Sequence, residues 1–320
     1  MSAAIPFVKY QGAGNDFVVV DARRSLPGGE AQGVGPQAGG PVREEQGWGS
    51  LAARVCERHF GVGADGLLVA LTPAAPGAAL RMRMYNPDGS EAEMCGNGLR
   101  CFGRWLLDRG EAGPGPLAVQ TGAGVLALEL GPDGQVATDM GLPRLAPADI
   151  PLSEGASAGQ PPWGPVLRLP LEVPPQPGFA GARFEATCVS MGNPHAVVFV
   201  PDPEAVALEV VGPLLETHPA FPARTNVELC QVVDRGRLRV RVWERGAGIT
   251  LACGTGACAA VVAARLRGDV DEQVVVALPG GELEVTWPGA PLADGASTGA
   301  PRAVVLRGPA VRVFEGAFPL

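Results

Sequence analysis

The chain has 320 residues, of which 46% are hydrophobic and 18% charged, and a formal net charge of −8 at pH 7. This length fits two domains of ordinary size, and the composition is that of a globular protein rather than a disordered one. The acidic balance and the lack of a basic run argue against a nucleic acid or a membrane as partner, because both need a basic face.

Cysteine usage and the N-terminal residues predict a reduced, cytoplasmic protein. The seven cysteines are an odd number in a long chain, and the first residues lack the basic start and long apolar stretch of a secretory signal. The longest uncharged window covers residues 246–264, where glycines and threonines favour a buried loop and helix over a membrane span.

The first predicted elements are a glycine-rich turn and a buried strand. The turn covers residues 12–16 and contains Asn15, and the strand covers the β-branched run Phe17–Val20. Taken alone, Asn15 is better explained as a turn residue than as a ligand contact. The stretch 28–49 is rich in glycine, proline and glutamine, which predicts a surface loop.

A helix is expected to begin with Ser50 as its N-cap and to stop before Gly61. Within it, Cys56 and His59 have the i, i+3 spacing of a pair of metal ligands, but no second pair completes a site. A half-buried cysteine and histidine are the favoured interpretation, and no metal is expected.

One stretch occurs twice: LRMRMYNPDGSEAEMCGNG over Leu80–Gly98 and LRVRVWERGAGITLACGTG over Leu238–Gly256. Each copy begins with the two-residue alternation of a half-buried strand, continues through a glycine-containing turn, and ends in a cysteine before a predicted helix. A second block, GAGNDFVVV, is mirrored by MGNPHAVVFV in the same order. The two correspondences predict a duplicated architecture.

The other predicted elements surround these repeats. Proline is dense between residues 139 and 177, which predicts a connection between domains and an irregular excursion, with regular structure resuming at Ala186. The loop 288–301 is low in complexity. Short strands are expected at 117–130, 135–141, 274–277, 283–287, 303–306 and 310–314.

A cysteine before a glycine-rich helix start has a chemical logic. The glycines allow a close approach of backbone N–H groups, which bind an anion, and the helix dipole lowers the pKa of a thiol placed there. One such site is weak evidence, because buried structural cysteines are common. Two at equivalent places are stronger, because pseudo-twofold duplication brings equivalent points face to face across a cleft.

Two facing thiols suit racemisation or epimerisation. One thiolate removes a proton from one face of a carbon while the opposite thiol returns a proton to the other face, so Cys95 and Cys253 are expected to share one proton. Helix N-termini stabilise the carbanion through its carboxylate. Lys9 is the only lysine, which nearly excludes the usual pyridoxal-phosphate Schiff base unless Lys9 serves, so no cofactor is expected.

Six ordered motifs resemble diaminopimelate epimerases: GAGNDFVVVD, GVGADGLL, MYNPDGSEAEMCGNGLRC, VSMGNPHAVV, RTNVE and WERGAGITLACGTGACA. The resemblance implies a mixed α/β fold of two pseudo-symmetric domains, each a central helix wrapped by strands, with the active site in the cleft between them. The N-terminal half would comprise residues 1–139 and about 309–320, and the C-terminal half 140–308. It further implies a cytoplasmic homodimer that interconverts LL- and meso-diaminopimelate for lysine and peptidoglycan precursor synthesis.

Carried over position by position, the resemblance makes Cys95 and Cys253 the acid/base pair, with Cys95 the donor and Cys253 the acceptor in one direction. His195 and Glu244 would modulate the pKa values of the two thiols. The expected substrate contacts are Asn15, Asn86, Gly96, Asn97, Asn193, Asn226, Glu244, Arg245, Gly254 and Thr255.

Departures and alternatives remain. Many members of the family have Gln where this chain has Gly66, so one substrate contact is in doubt. Asn86 and Glu244 occupy equivalent places in the two repeats and predict where the symmetry breaks for substrate recognition. The alternatives are a proline-type racemase of the same fold, which a chiral substrate panel separates, and a cysteine-rich metal or redox protein, which lacks the CxxC spacing it would need.

Overall fold

A computed structural model describes residues 4–23, 43–159, 164–289 and 302–320. Its contacts divide the chain into two compact units, Met1–Thr138 with Gly308–Leu320, and Asp139–Arg307. The elements of the first half are, in chain order, β1 (Ala4–Gly12), β2 (Asn15–Asp21), α1 (Arg43–Cys56), β3 (Gly66–Leu71), β4 (Leu80–Tyr85), β5 (Glu91–Ala92), α2 (Gly96–Asp108), β6 (Gly115–Thr121), β7 (Gly124–Leu130) and β8 (Val136–Asp139).

The remaining elements belong to the second unit, except for the last strand, which returns to the first. They are α3 (Glu154–Ser157), β9 (Val166–Val173), β10 (Ala182–Ser190), β11 (Pro194–Phe199), α4 (Leu208–Glu216), β12 (Asn226–Asp234), β13 (Arg237–Glu244), β14 (Gly248–Thr250), α5 (Gly254–Leu266), β15 (Gln273–Leu278), β16 (Gly281–Thr286), β17 (Val305–Gly308) and β18 (Val311–Pro319).

The two units have the same pattern of strand pairing. In the first, β18, β1 and β2 pair antiparallel in that order, β2 is parallel to β3, and β3 is antiparallel to β4. Strand β4 is antiparallel to β5 and parallel to β6, which pairs antiparallel with β7. In the second unit β9 to β16 repeat this order with the same directions. The mixed α/β fold with two similar halves is confirmed.

A helix occupies the centre of each unit. On α2, Leu99, Phe102 and Leu106 are fully buried and pack against strands on several sides. On α5 every residue from Ala257 to Ala264 is buried, because its alanine and valine side chains are small and apolar all round. Burial on all sides fixes where the first turn of each helix, and therefore each capping cysteine, must lie.

Strands β2 and β3 are buried on both faces. Alternate side chains such as Phe17 and Leu68 contact the core around α2, while their neighbours Val18 and Leu67 pack against α1. This explains why the Phe17–Val20 run is continuously apolar rather than alternating.

Several sequence predictions are confirmed by these bounds. The helices that follow the two cysteines, the strands of the two repeats, and the strands predicted around them are all present. Each repeat turn also contains a short strand, β5 or β14, that pairs back onto the preceding strand.

Two predictions are wrong, and one helix was not predicted. The first helix begins at Arg43 rather than at Ser50, so residues 43–49 are helical and not loop, while 28–42 lie outside the described residues. Regular structure in the second unit resumes before Ala186, because β9 lies inside the proline-dense stretch. Helix α4 went unpredicted because Pro213 lies within it.

No helix within the described ranges is long and apolar enough to cross a membrane. The window 246–264 contains β14, the turn before Cys253 and most of α5 instead.

Gly66 occupies a tightly packed position. A Cβ there would lie 3.1 Å from the Tyr85 carbonyl oxygen and 3.2 Å from Phe17 Cδ1. The Tyr85 carbonyl belongs to a paired strand and cannot move freely. A Cβ, which the Gln expected in the family also carries, would require these neighbours to shift by a few tenths of an ångström.

We therefore predict that Gly66→Ala lowers the free energy of unfolding by about 1–3 kcal/mol through overpacking. Urea denaturation monitored by circular dichroism measures this. The matched control is Gly47→Ala in α1, where an added Cβ meets nothing within 4 Å and should leave stability unchanged or slightly higher. Equal stability of Gly66→Ala and the wild-type protein would contradict the prediction and show that the neighbouring atoms shift at little energetic cost.

Candidate active site

Cys95 is the N-cap of α2. Its backbone is extended (φ −143°, ψ 119°), and its Sγ accepts a hydrogen bond from the Gly98 N–H at 3.4 Å. A Cβ on Gly98 would lie 3.2 Å from Leu68 Cδ2, so this position favours glycine. The thiol lies at the positive end of the helix dipole, where the N–H groups of Gly96 and Asn97 have no partner within the helix.

Cys253 caps α5 with the same geometry. Its backbone is extended (φ −124°, ψ 115°), and its Sγ accepts a hydrogen bond from the Gly256 N–H at 3.4 Å. The Thr255 Oγ1 also lies 3.4 Å from this sulfur. Gly254 opens this helix as Gly96 opens α2, so the repeated Cys-Gly-x-Gly sequence produces two equivalent helix starts whose exposed N–H groups are of the kind that suits an anion.

The two thiols differ in their surroundings. Cys253 is 6% exposed, whereas Cys95 is half-buried. Burial raises the pKa of the Cys253 thiol well above its usual value, and the charges of Glu244 and Glu228 raise that pKa further. Hydrogen bonds donated to the sulfur act in the opposite direction. These surroundings therefore favour the neutral thiol at Cys253.

The other five cysteines are buried core residues. Burial raises the pKa of Cys56, Cys101 and Cys188 to about 12. Cys230 and Cys258 are fully buried as well. Among the described helices, only α2 and α5 are capped by a cysteine.

In the first unit the predicted contact residues form a polar cluster beside Cys95. Asn15 Nδ2 donates to Asp65 Oδ2 at 2.9 Å, and Asn97 Nδ2 approaches Asn15 Oδ1 at 3.5 Å. The buried Arg100 donates to Asn97 Oδ1 at 2.6 Å. The structure thus brings Asn15 and Asn97 together.

The equivalent cluster in the second unit lies beside Cys253. Asn193 Nδ2 donates to Thr255 Oγ1 at 3.4 Å, and Asn193 Oδ1 lies 3.0 Å from His195 Nε2. The other ring nitrogen of His195 lies 2.7 Å from Glu228 Oε1. His195 and Glu228 are both fully buried. The predicted pKa-modulating histidine therefore reaches Cys253 through two side chains rather than directly.

Glu228 is not among the sequence-predicted site residues. It lies in β12 between Val227 and Leu229, where both neighbours are fully buried. An acidic residue inside such an apolar strand is the signal that marks it, because a buried carboxylate is costly unless it has a partner. Burial raises the pKa of Glu228, and His195 acts in the opposite direction.

Asn226 holds two backbone segments together. Its Nδ2 donates to the Pro194 carbonyl at 2.8 Å, and its Oδ1 accepts from the Arg245 N–H at 2.9 Å. The side chain is 3% exposed. Asn226 therefore fixes the turn that carries Arg245, and its predicted substrate contact stays a prediction.

The residues predicted to break the symmetry occupy matching turns. Asn86 follows β4, and its Nδ2 donates to Ser90 Oγ at 3.0 Å. Glu244 ends β13 opposite Gly248 of β14. The adjacent Arg245 is exposed and donates to the Ala223 carbonyl at 3.1 Å. A neutral amide and a carboxylate thus stand at equivalent positions.

A second residue that was not predicted supports this turn. Glu216, at the end of α4, is 6% exposed and accepts hydrogen bonds from Trp243 Nε1 at 2.7 Å and from the Gly246 N–H at 3.1 Å. These contacts anchor both sides of the Glu244–Arg245 pair. Glu216 could not be singled out from the sequence, because α4 was not predicted.

Lys9 and the Cys56–His59 pair have structural partners. The Lys9 ammonium lies 2.7 Å from Asp16 Oδ2 and donates to the Gly63 carbonyl at 2.5 Å. Cys56 is buried, whereas His59 is exposed and contacts Glu57. Among the residues that the structure describes, no group of three or more His, Cys, Asp or Glu could hold a metal ion.

Comparison with known proteins decides the family. The diaminopimelate epimerase family model matches residues 7–146 and 187–304. The chain is 46% identical over 315 residues to diaminopimelate epimerase 1 of a Nostoc species, covering 98% of this chain and 99% of that protein.

The chain belongs to the diaminopimelate epimerase family. It is also 46% identical over 318 residues to the diaminopimelate epimerase of Moorella thermoacetica, at 98% and 99% coverage. Membership in the diaminopimelate epimerase family makes the chain an isomerase. The relatives are matched over nearly their full length, so both halves of the family architecture are present.

Solved structures with low sequence identity share the fold of the diaminopimelate epimerase family. A phenazine biosynthesis protein of the PhzF family from Bacillus anthracis has a TM-score of 0.63 at 17% identity, with 99% of each chain covered. A hydroxyproline epimerase from Agrobacterium vitis has a TM-score of 0.62 at 15% identity, with 100% and 94% covered. At these identities the similarity establishes the fold alone.

We predict that in this member of the diaminopimelate epimerase family iodoacetamide alkylates the half-buried Cys95 faster than the buried Cys253 at pH 7.5, without substrate. Each pKa unit lowers the reactive thiolate fraction about tenfold, and the pKa of Cys253 is raised. Peptide mass spectrometry of timed samples measures both rates. The Cys253 rate should still be rising above pH 9, and a plateau near pH 8 would contradict the raised pKa.

Proposed function

We propose that this chain interconverts LL- and meso-diaminopimelate without a cofactor, with Cys95 and Cys253 as the two acid/base residues. The observation that carries the proposal is the pair of matching cysteine N-caps, on α2 and α5, in a chain of the diaminopimelate epimerase family. The names of the relatives supply the substrate.

The reaction is a proton exchange at one α-carbon. One thiolate removes the α-proton and becomes a thiol, while the opposite thiol donates its proton to the other face and becomes the thiolate. The C–H bond that breaks is replaced by one of inverted configuration, and the pair holds one proton before and after each turnover, with a second proton only while the carbanion exists. This mechanism requires the two sulfur atoms to flank the α-carbon.

The two helix starts are suited to the α-carboxylate. The N–H groups of Gly96 and Asn97 on α2, and of Gly254 and Thr255 on α5, stand where helical N–H groups lack intrahelical partners. Donors in these places bind the carboxylate and gain strength as negative charge spreads onto its oxygens in the carbanion. No metal or Schiff base is needed for this stabilisation.

Substrate charge offsets the unfavourable position of Cys253. Burial keeps this thiol neutral in the free protein, so its pKa must fall before it can act as the base. The α-ammonium group of the substrate supplies a positive charge next to the sulfur, and an opposite charge lowers the pKa of a thiol. The Thr255 Oγ1 lies 3.4 Å from the same sulfur, where its hydroxyl can donate to the thiolate once that forms.

The remaining predicted contacts suit a substrate with two amino-acid ends. Arg245 is exposed, and its guanidinium is suited to bind a carboxylate bidentately. Glu244 and the asparagine carbonyl oxygens accept hydrogen bonds from ammonium groups, whereas the asparagine amide nitrogens donate to carboxylates. Asn86, Asn15 and Asn193 can serve in this way alongside their present partners.

We further propose that the protein is a cytoplasmic homodimer that serves lysine and peptidoglycan precursor synthesis. Exposed apolar side chains on β18, including Val311, Val313 and Phe314, support a second copy as partner, because such groups gain from burial in an interface. The proposed halves of the active site, 1–139 with about 309–320 and 140–308, each contribute one cysteine.

The test is epimerisation by the wild-type protein and by Cys95→Ala and Cys253→Ala. Each variant removes one proton carrier, so we expect a loss of at least about a hundredfold in kcat with LL-diaminopimelate. Chiral chromatography of the product measures it. The matched control is Cys258→Ala, which removes a buried thiol from the same helix as Cys253 and should keep most of the activity.

Full activity in either N-cap variant would refute the two-thiol mechanism. A substrate panel that includes L-proline checks the substrate in the same assay. Inversion of proline with no inversion of diaminopimelate would overturn the proposed substrate and leave the mechanism standing.

A further inference from the structure

Different side chains pack beneath the first turns of α2 and α5, and we call these side chains the floor of each turn. A Cβ placed on Gly98 would meet Leu68 Cδ2 at 3.2 Å and Phe17 Cε1 at 3.6 Å, which are apolar groups. A Cβ placed on Gly256 would meet Glu228 Oε1 at 2.8 Å. A carboxylate therefore lies under the first turn of α5 where a hydrocarbon lies under α2.

Strand register makes these floors equivalent. In the parallel pair of the first unit, Phe17 lies opposite Gly66, two residues before Leu68. In the second unit His195 lies opposite Asn226, two residues before Glu228. Phe17 and Leu68 thus correspond to His195 and Glu228. The first unit therefore has two apolar side chains at the positions where the second unit has a buried polar pair.

Both ring nitrogens of His195 face hydrogen-bonding atoms, Asn193 Oδ1 at 3.0 Å and Glu228 Oε1 at 2.7 Å. Asn193 Oδ1 can only accept, so the His195 Nε2 facing it at 3.0 Å must carry a hydrogen. The proton between His195 Nδ1 and Glu228 Oε1, which are 2.7 Å apart, then belongs to either partner. Both arrangements leave Nε2 as a donor and fix the orientation of the Asn193 amide.

The fixed amide directs the next hydrogen bond. With Asn193 Oδ1 turned to the histidine, its Nδ2 donates to Thr255 Oγ1 at 3.4 Å. The Thr255 oxygen then acts as acceptor, which leaves its own hydrogen to donate to Cys253 Sγ at 3.4 Å. The donors run in one direction, from Glu228 to the sulfur. In the first unit Asn97 stands where Thr255 stands here, so Cys95 has no hydroxyl at that position.

The hydrogen-bond series from Glu228 to Cys253 carries an energetic cost. Glu228 Oε2 has no hydrogen-bond partner among the described residues, and the Glu228 carboxylate is fully buried. Any negative charge on Glu228 also disfavours a thiolate at Cys253. Glu228 is costly to bury, and the equivalent position in the first unit holds Leu68. Its presence therefore points to a role other than packing.

We infer that Glu228 is a positioning residue, which orients His195 and Asn193 so that the Thr255 hydroxyl donates to the Cys253 thiolate. The inference rests on the proposed function, in which Cys253 acts as thiolate in one direction. It makes the two cysteines unequal, because a threonine hydroxyl is directed at Cys253 from the position that Asn97 occupies beside Cys95.

The test measures Cys253 alkylation by iodoacetamide as a function of pH in the full chain, with Cys95 as internal reference. The charged or titratable groups that bear on Cys253 are His195 from β11, Glu228 from β12 and Glu244 from β13. In His195→Phe/Glu228→Leu, which copies the apolar floor of the first unit, the Cys253 rate should fall roughly threefold to tenfold, the loss of one hydrogen bond. The Cys95 rate should not change.

Glu228→Gln is the conservative variant. Its amide can donate to His195 Nδ1 and keep the donor direction, so the Cys253 rate should stay within about twofold of the wild-type rate or rise. A rise in both Glu228→Gln and the double variant would show a charge acting through space and overturn the inference. An unchanged rate in the double variant would also overturn it.

Thr255→Val and Thr255→Ser test the end of the chain if the double variant does not fold. Valine removes the donor and should slow Cys253 alkylation as the double variant does, whereas serine should restore the rate. Valine without effect would overturn the inference. Alkylation needs no substrate, so this result is independent of the epimerase assay. If the wild-type protein epimerises diaminopimelate but the variants show no change in Cys253 alkylation, the positioning role of Glu228 is overturned and the proposed function stands.

Discussion

The hydrogen bond from a helix N–H to a capping thiol organises each half of this protein. Gly98 donates to Cys95 and Gly256 donates to Cys253, both at 3.4 Å. The bond needs an extended cysteine, a glycine without a Cβ, and a helix held in place by strands on several sides. The sheets, the buried helices and the glycines meet these needs, and the thiol and the anion-binding N–H groups come together as a result.

Duplication supplies two similar sites, and the side chains under them make the sites different. Phe17 and Leu68 form a dry floor beneath α2, whereas His195 and Glu228 form a proton-sharing floor beneath α5. The same division appears in the turns, where Asn86 corresponds to Glu244. The substrate has no twofold axis at the reacting carbon, so the two halves of the site face different chemical groups. Unequal side chains in the two halves suit that difference.

The sequence alone predicted the elements with a strong period, including the repeated strands and the helices after Cys95 and Cys253. It misplaced the start of α1 at Ser50, because a plausible cap competes poorly with tertiary packing of Trp48 against the sheet. It missed Glu228, because the importance of that carboxylate depends on the parallel register that places it beneath Gly256. Local patterns carry no information about such neighbours.

The most direct test of the two-thiol account is the fate of deuterium during initial turnover of LL-diaminopimelate in D2O. With two bases, the proton returned to the inverted carbon comes from the opposite, solvent-equilibrated thiol, while reversal without inversion returns the original proton. The account therefore predicts one deuterium at the inverted carbon of the product and none in recovered substrate. Equal labelling of product and recovered substrate would indicate a single base and contradict it.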